Sequence, residues 1–296
     1  MADRNPSRSR PPLACEITAE RVIAARASQD RASLDTFSVR ALPAGTLTPS
    51  LMGQNVSNGA ALRQAIEGAL AAVSPRQRDV AVVLPDAALP VVLMDFESLP
   101  EREQEAAPLV RFRLKKLLPF DAERALISYQ ASRSAAGVKV VVAVALATVV
   151  EEYEAAFRDI GFNPGVVLPS IVASLGAVEA AQPTLVIKVD AATTSVAIAD
   201  HGELLLVRTV SNGAGAVTPE QVADDVYPLL IFFQDTYAAR IQRVLVGGAS
   251  FVDSLRAPLE QQTGVRVEEL VSSIGAGATN SIPRGALAGV VGALAG

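Results

Sequence analysis

Apolar and polar positions along this chain follow two alternating periods. Short apolar runs of strand length are followed by segments with apolar residues at helical spacing. The clearest strand set begins at Leu185-Val-Ile-Lys-Val-Asp190 and passes through a polar turn holding Thr193 and Thr194. A second run reaches Asp200, His201-Gly202 makes a two-residue corner, and a third run ends at Arg208. A helix is predicted from Thr218, with a hydroxyl at the N-cap, Pro219 at the first helical position and Gln221 placed to reach back. It carries Val222, Val226, Leu229, Leu230 and Phe233, and Pro228 inside it predicts a kink. A strand over 243–246 then ends in Gly247-Gly248, ahead of a helix over 250–263, a short strand over 265–270 and a terminal helix from about Pro283.

A similar order runs through the first half. Residues 13–27 and 34–42 carry strand patterns, and 47–58 form a loop rich in Gly, Asn and Ser. Asn58 caps a helix with Leu62, Ile66, Leu70 and Val73 on one face. Strands over 79–84 and 89–96 precede a helix that opens on an acidic turn after Leu99-Pro100, closes on Lys115-Lys116 and stops at Pro119. Strands over 125–133 and 139–147, a helix from Thr148 to Asp159 ended by Gly161, and a helix over 169–178 follow. Strand groups precede helix groups twice, from residue 13 and again from residue 185. The pattern predicts a mixed α/β chain with a weak internal duplication.

At 296 residues the chain is long enough for two lobes. Half of it is apolar, yet the uncharged apolar runs 140–150 and 286–296 fall short of the roughly 20 residues a bilayer requires. Met1 to Pro12 is rich in Arg, Pro and Ser and lacks the apolar core of a secretory signal, so a disordered tail and a cytoplasmic location are expected. Cys15 is the only cysteine, which excludes an internal disulfide, and a single His argues against a His-based triad or zinc site. Net charge is −5 with no basic block, so nucleic acid is not an expected partner.

Acids and hydroxyls at a tight turn between strands, with glycines where backbone must approach phosphate, are what a magnesium-nucleotide site requires. Asp190, Thr193, Thr194, Gly213, Gly247 and Gly248 are the candidate cofactor-binding residues, for ATP with Mg. Each also has a plain structural reading: Asp at a strand end as a turn residue, Thr as a strand former, paired Gly as a strand stop. No catalytic residue and no metal ligand is assigned.

The order of these features is similar to the second half of the nucleotide cleft in the actin, Hsp70 and sugar-kinase superfamily. Within it the chain resembles the PilM family of type IV pilus assembly proteins, which is actin-like and related to FtsA. Four stretches carry the resemblance: 80–85 with 91–96 and Leu99-Pro100; 111–120, ending Leu-Leu-Pro-Phe; 139–147 with 152–164, containing Ile160-Gly-Phe-Asn-Pro; and 190–208 with Gly247-Gly248. The resemblance implies an α/β, actin-like (ribonuclease H-like) two-lobed fold with an inserted small α+β subdomain. The first lobe would span 13–79 and 154–183, the insertion 80–153, and the second lobe 184–296, after a tail over 1–12. It further implies a cytoplasmic adaptor that grips the N-terminal peptide of a PilN-like inner-membrane protein, meets the membrane only through that partner, and links it to the pilus motor ATPases. Phe112, Leu117, Leu118, Pro119 and Phe120 are the candidate walls of the peptide groove.

The departures from that family bear on the cofactor. Its first phosphate turn is of the acid-Ile-Gly-Ser-Ser type followed by Lys, and the equivalent here is read as Glu16-Ile17-Thr18-Ala19-Glu20-Arg21-Val22-Ile23. Ala192 replaces a Gly of the second turn, Pro169 stands where an acid is usual, and Asn212-Gly213 replaces a Gly pair. An eroded cleft that takes ATP weakly or not at all is the expectation. The alternatives are an ATP-binding or ATP-hydrolysing enzyme, or a type II secretion adaptor, on the same fold.

Overall fold

In the computed structural model the described residues are 10–29, 33–74, 76–134, 137–213, 217–248, 252–271 and 282–295. One unit of strand-strand-strand-helix-strand-helix-strand-helix occurs twice. The first copy opens with β1 (Leu13–Ile17), β2 (Arg21–Ala27), β3 (Leu34–Ala41), α1 (Gly59–Val73) and β4 (Asp79–Leu84). It is interrupted by β5 (Val91–Phe96), α2 (Glu103–Leu114), β6 (Ala125–Ser134) and β7 (Gly137–Leu146). It resumes with α3 (Ala147–Arg158), β8 (Asn163–Pro169) and α4 (Ser170–Leu175). The second copy, among the described residues, runs β9 (Thr184–Val189), β10 (Thr193–Asp200), β11 (Glu203–Ser211), α5 (Pro219–Tyr237), β12 (Arg243–Gly247), α6 (Val252–Thr263), β13 (Val267–Glu269) and α7 (Ala288–Ala295). The two large sheets have the same order, β3-β2-β1-β4-β8 and β11-β10-β9-β12-β13, and the interruption forms its own sheet, β5-β7-β6.

The duplication holds to the level of single residues. Ile17 faces Val22 across the first hairpin, and Val189 faces Thr194 across its counterpart. The ladder is shifted between Arg26 and Ala27 in β2 and between Ile198 and Ala199 in β10, the same distance from each turn. Helix starts agree as well: Asn58 Oδ1 accepts the Ala61 N–H at 3.0 Å and Thr218 Oγ1 accepts the Gln221 N–H at 3.2 Å. The two-residue corner stands where expected, with His201 at φ 47° and Gly202 at φ 79°.

Strand periodicity decides which side chains meet. In β1 the odd positions Leu13, Cys15 and Ile17 pack under α1 and α3, and in β9 Leu185, Ile187 and Val189 pack under α5 and α6. The even positions of both strands face a shared middle layer made by α4 and α7. These two helices cross at backbone distance: a Cβ on Gly292 would lie 1.8 Å from the Ala173 carbonyl oxygen, and one on Gly176 would lie 2.6 Å from that of Gly292. The layers are therefore α1/α3, first sheet, α4/α7, second sheet, α5/α6. The small sheet has its own core, in which Met94, Val140 and Val142 pack under Val110 and Leu114 of α2.

Two expectations change against this topology. β4 lies inside the expected 80–153 insertion, yet pairs with β1 and β8 in the first sheet, and α3 packs over that sheet through Val149, Tyr153 and Phe157. A parallel strand buried between two neighbours belongs to the lobe it completes, so the interruption lies between β4 and α3. α7, expected with the second lobe, places Val290, Ala293 and Leu294 against Ala14, Ile23 and Ala81 of the first sheet. α5 runs from Pro219 to Tyr237 with Pro228 inside it. Of the expected tail, residues 1–9 lie outside the described residues, while the Arg10 guanidinium donates to the carbonyls of Gly292 at 3.3 Å and Ala293 at 3.1 Å at the end of α7. The start of the 250–263 helix also falls partly outside, since 249–251 are not described.

The α4–α7 crossing leaves no space for a methyl group. Gly292→Ala is expected to lower stability by about 3 kcal/mol through overpacking, measured by urea unfolding. An unchanged midpoint would mean that the two helices are not held at this distance.

Candidate functional site

Glu16 and Lys188 are equivalent residues of the two repeats, one position before the last residue of β1 and of β9. As even-numbered positions both point into the middle layer, where they meet. Lys188 Nζ donates to Glu16 Oε1 and to Ser170 Oγ, and Ser170 Oγ donates to Glu16 Oε1 at 2.8 Å. Glu16 is 1 % exposed and Lys188 4 % exposed. Neither charge is tolerable alone at that depth, so each strand carries the other's counter-ion. The fit is closed from the third side by α7: a Cβ on Gly289 would lie 2.4 Å from Glu16 Oε2.

Both hairpin turns of the cleft are closed on themselves. Asp190 Oδ1 accepts the N–H groups of Ala192 at 2.7 Å and Thr193 at 2.8 Å, and the Asp190 N–H donates to the Thr193 carbonyl at 2.9 Å. In the first turn Thr18 takes the same place. Its N–H donates to the Arg21 carbonyl at 2.9 Å, and its hydroxyl accepts from the N–H groups of Glu20 at 3.4 Å and Arg21 at 3.2 Å. This register corrects the reading of Glu16 as the acid of the first turn: Thr18 is the residue equivalent to Asp190, and Arg21 is equivalent to Thr193. Thr194 Oγ1 donates to Asn212 Oδ1 at 2.8 Å, and Asn212 Nδ2 donates to the Asp190 carbonyl at 2.7 Å, bracing the second turn from behind. Gly213, at φ 70°, follows this brace.

The paired glycines are approached by the chain itself. A Cβ on Gly247 would stand 2.8 Å from the Gly285 carbonyl oxygen, and one on Gly248, at φ 87°, would stand 2.2 Å from that of Val189. The Gly248 N–H donates to the Gly285 carbonyl at 3.1 Å. From the opposite lobe Arg21 Nη2 donates to the Gly248 carbonyl at 3.0 Å, bridging the first turn to the paired glycines.

A third carboxylate sits beside the pair. Asp86 is buried, and its two oxygens accept the Ile171 N–H at 2.9 and 3.2 Å. Burial raises its pKa to about 6, against the opposing hydrogen bonds from Ile171 and Ser195 and the nearby Lys188 charge. Burial likewise raises the pKa of Asp190, against the two N–H groups of its own turn. The Lys188 charge, in contact with Glu16, opposes both rises.

Much of the polar chemistry at the two turns is engaged within the chain: the Ala192 and Thr193 N–H groups on Asp190, those of Glu20 and Arg21 on Thr18, Lys188 on Glu16 and Ser170, and Arg21 Nη2 on the Gly248 carbonyl. Among the described residues no three His, Cys, Asp or Glu side chains are grouped to hold a metal ion. The sequence pointed to Asp190, Thr193, Thr194, Gly247 and Gly248, and the structure does bring them to one end of β9, β10 and β12. It missed Lys188, Ser170 and Asp86. The available signal was Lys188 itself, a lone charge in a strand that otherwise reads as wholly buried. Of the groove candidates, Phe112, Leu117 and Pro119 are exposed, while Leu118 packs on the small-sheet core and Phe120 on the core of the first sheet.

Two five-stranded sheets of identical order, with hairpin turns facing one cleft and an insertion after the fourth strand, define an actin-like fold. The fold is shared with solved structures: the chain is similar to a protein of the PilM–PilN type IV pilus biogenesis complex, with a TM-score of 0.79, 20 % identity, and 97 % of this chain and 98 % of that one covered. It is also similar to a protein of actin-like ATPase fold and unknown function from Bacteroides thetaiotaomicron VPI-5482 (TM-score 0.55, 13 % identity, 90 % and 94 % covered). A third is the cytoplasmic domain of EpsL, an inner membrane component of the type II secretion system of Vibrio cholerae (TM-score 0.54, 12 % identity, 95 % and 92 % covered). No protein-family profile and no curated protein sequence matches the chain.

Two outcomes test the charge arrangement. Lys188→Met leaves Glu16 without its counter-ion and is expected to cost about 3–5 kcal/mol of unfolding free energy, whereas the double variant Glu16→Gln/Lys188→Met recovers most of that loss. Simple addition of the two single losses would mean that the residues are not coupled. The raised Asp86 pKa means that the folded state holds a proton the unfolded state has released between pH 4 and 6. Stability from this group is complete below the ordinary carboxylate pKa of 3.8 and is lost as pH rises through about 6. Asp86→Asn is therefore expected to be the more stable protein at pH 7.5, by up to about 3 kcal/mol, with the advantage gone near pH 4. Parallel pH profiles for the two proteins would refute the assignment.

Proposed function

We propose that the chain is an actin-like adaptor of a type IV pilus or type II secretion assembly, with a cleft held shut by its own side chains that takes magnesium nucleotide weakly or not at all. The observation that carries this reading is the buried Glu16–Lys188–Ser170 contact, with the Arg21 bridge to Gly248, by which the two halves hold each other through the chain's own polar groups. The likeness in fold to PilM over nearly the whole chain, with a TM-score of 0.79 against 0.54 for the EpsL domain, favours the pilus assembly of the two. In this reading the partner is the N-terminal cytoplasmic peptide of a PilN-like inner-membrane protein. The adaptor stays on the cytoplasmic face, reaches the membrane through that partner, and passes the connection to the motor ATPases. No helix among the described residues is long and apolar enough to cross a membrane, consistent with an attachment made through another chain.

The proposed peptide groove lies at the end of α2. Leu118 and Phe120 anchor this run to two different cores, the small sheet and the first lobe, and leave Phe112 and Leu117 exposed between them. An extended peptide with apolar side chains would bury that surface and join the two bodies. Glutamate at Phe112 or Leu117 is expected to reduce binding of a synthetic PilN-type N-terminal peptide at least tenfold, read by fluorescence anisotropy, with a melting temperature within about 2 °C of the parent. Phe120→Glu is expected to unfold the protein instead. Wild-type peptide affinity in both exposed-site variants would place the groove elsewhere.

A further inference from the structure

We propose that the outer face of α5, with the trough between α5 and α6, is a second docking surface, and that its occupant is a basic amphipathic helix of a partner protein. The internal duplication supplies the control. α1 and α5 are equivalent helices with matching caps at Asn58 and Thr218, so Glu67, Ala71 and Ala72 correspond to Tyr227, Ile231 and Phe232. All six face outward. The first copy presents a charge and two methyl groups there, as a solvated helix does. The second copy presents three large apolar side chains, Tyr227 50 % exposed, Ile231 41 % and Phe232 56 %. The fold therefore does not require them, and three large apolar groups on one short stretch of surface mark a contact site.

The shape and charge of the surroundings name the occupant. Beside Tyr227 an open trough of about 630 Å³ runs between the two helices, walled by Ala223, Ala257 and Pro258 and bordered by Glu220 and Asp224, with no basic residue in its lining. It is continued past Leu230 and Phe233 by a smaller hollow of about 150 Å³, where Arg240 brings a positive charge to the far end and sets the limit of the acidic stretch. Glu220 and Asp224, one helical turn apart, precede Tyr227 and Ile231 on α5, and Asp235 follows Ile231 by one turn. An apolar stripe between acids complements a helix with an apolar stripe between lysines or arginines. A second copy of the same chain is disfavoured, because acidic rims would then oppose one another. The surface is on the second lobe and is independent of the peptide groove at α2.

The test is titration of the ¹⁵N-labelled full chain with two designed amphipathic helices of equal length, one of Leu and Lys, the other of Leu and Glu. The Leu/Lys peptide is expected to bind with shift changes centred on 220–235 and 257–262. Affinity should fall at least tenfold in Ile231→Glu and in the Glu220→Lys/Asp224→Lys double variant, weaken with salt, and stay unchanged in Phe112→Glu. Failure of the Leu/Lys helix to bind, equal binding of the Leu/Glu helix, or shifts centred on another face would each overturn the proposal. So would concentration-dependent self-association abolished by Ile231→Glu, which would make the occupant a second copy.

Discussion

The fold turns on one buried contact between its halves, Lys188 on Glu16. Each residue belongs to the first strand of its repeat, and each would be an isolated charge in a dry layer without the other. Such a pair adds little net stability over a well-packed apolar alternative, so its effect is on arrangement. It fixes β1 against β9, draws Ser170 at the start of α4 into the same contact, and leaves room for Gly289 but for no larger residue on α7. The crossing of α4 and α7, and through it the spacing of the two sheets, follows from this contact and from the glycines that permit it.

The same duplication governs the two hairpin turns. They are equivalent, and in both the side chain at the first position, Asp190 or Thr18, accepts N–H groups of its own turn. Replacing an acid by Thr18 and a hydroxyl by Arg21 changes the first turn from an open cradle into a strut that reaches the Gly248 carbonyl. Glycines survive at 247 and 248, but the backbone they admit is that of residues 283–287 and of β9. A two-lobed scaffold whose turns are braced from within is suited to holding other proteins in place, which is the role proposed for it.

Much of the architecture was legible in the residues. The helix caps at Asn58 and Thr218, the corner at His201-Gly202 and the repeat of strand groups from 13 and 185 are local signals, and local signals are what a sequence states most directly. Lobe membership was less legible. A hydrophobic strand such as 79–84 has the same pattern in either sheet, and α7, with no polar face, carries no direction in its sequence. The site was only half legible. Asp190, Thr193 and the Gly pair stood out as candidates because turn chemistry has a sequence signature. The contact between Glu16 and Lys188 spans 172 positions and has none. Only the oddity of a lysine inside Leu-Val-Ile-Lys-Val pointed to it, and the repeat register was needed to see that its partner is the equivalent residue.

The central proposal is that the cleft takes magnesium nucleotide weakly or not at all. Isothermal titration of the full chain with Mg-ATP and Mg-ADP, beside a magnesium-free control, tests it most directly. The account predicts no saturable heat up to millimolar nucleotide in a protein whose circular dichroism is that of the folded chain. Magnesium-dependent binding at micromolar concentration would contradict it.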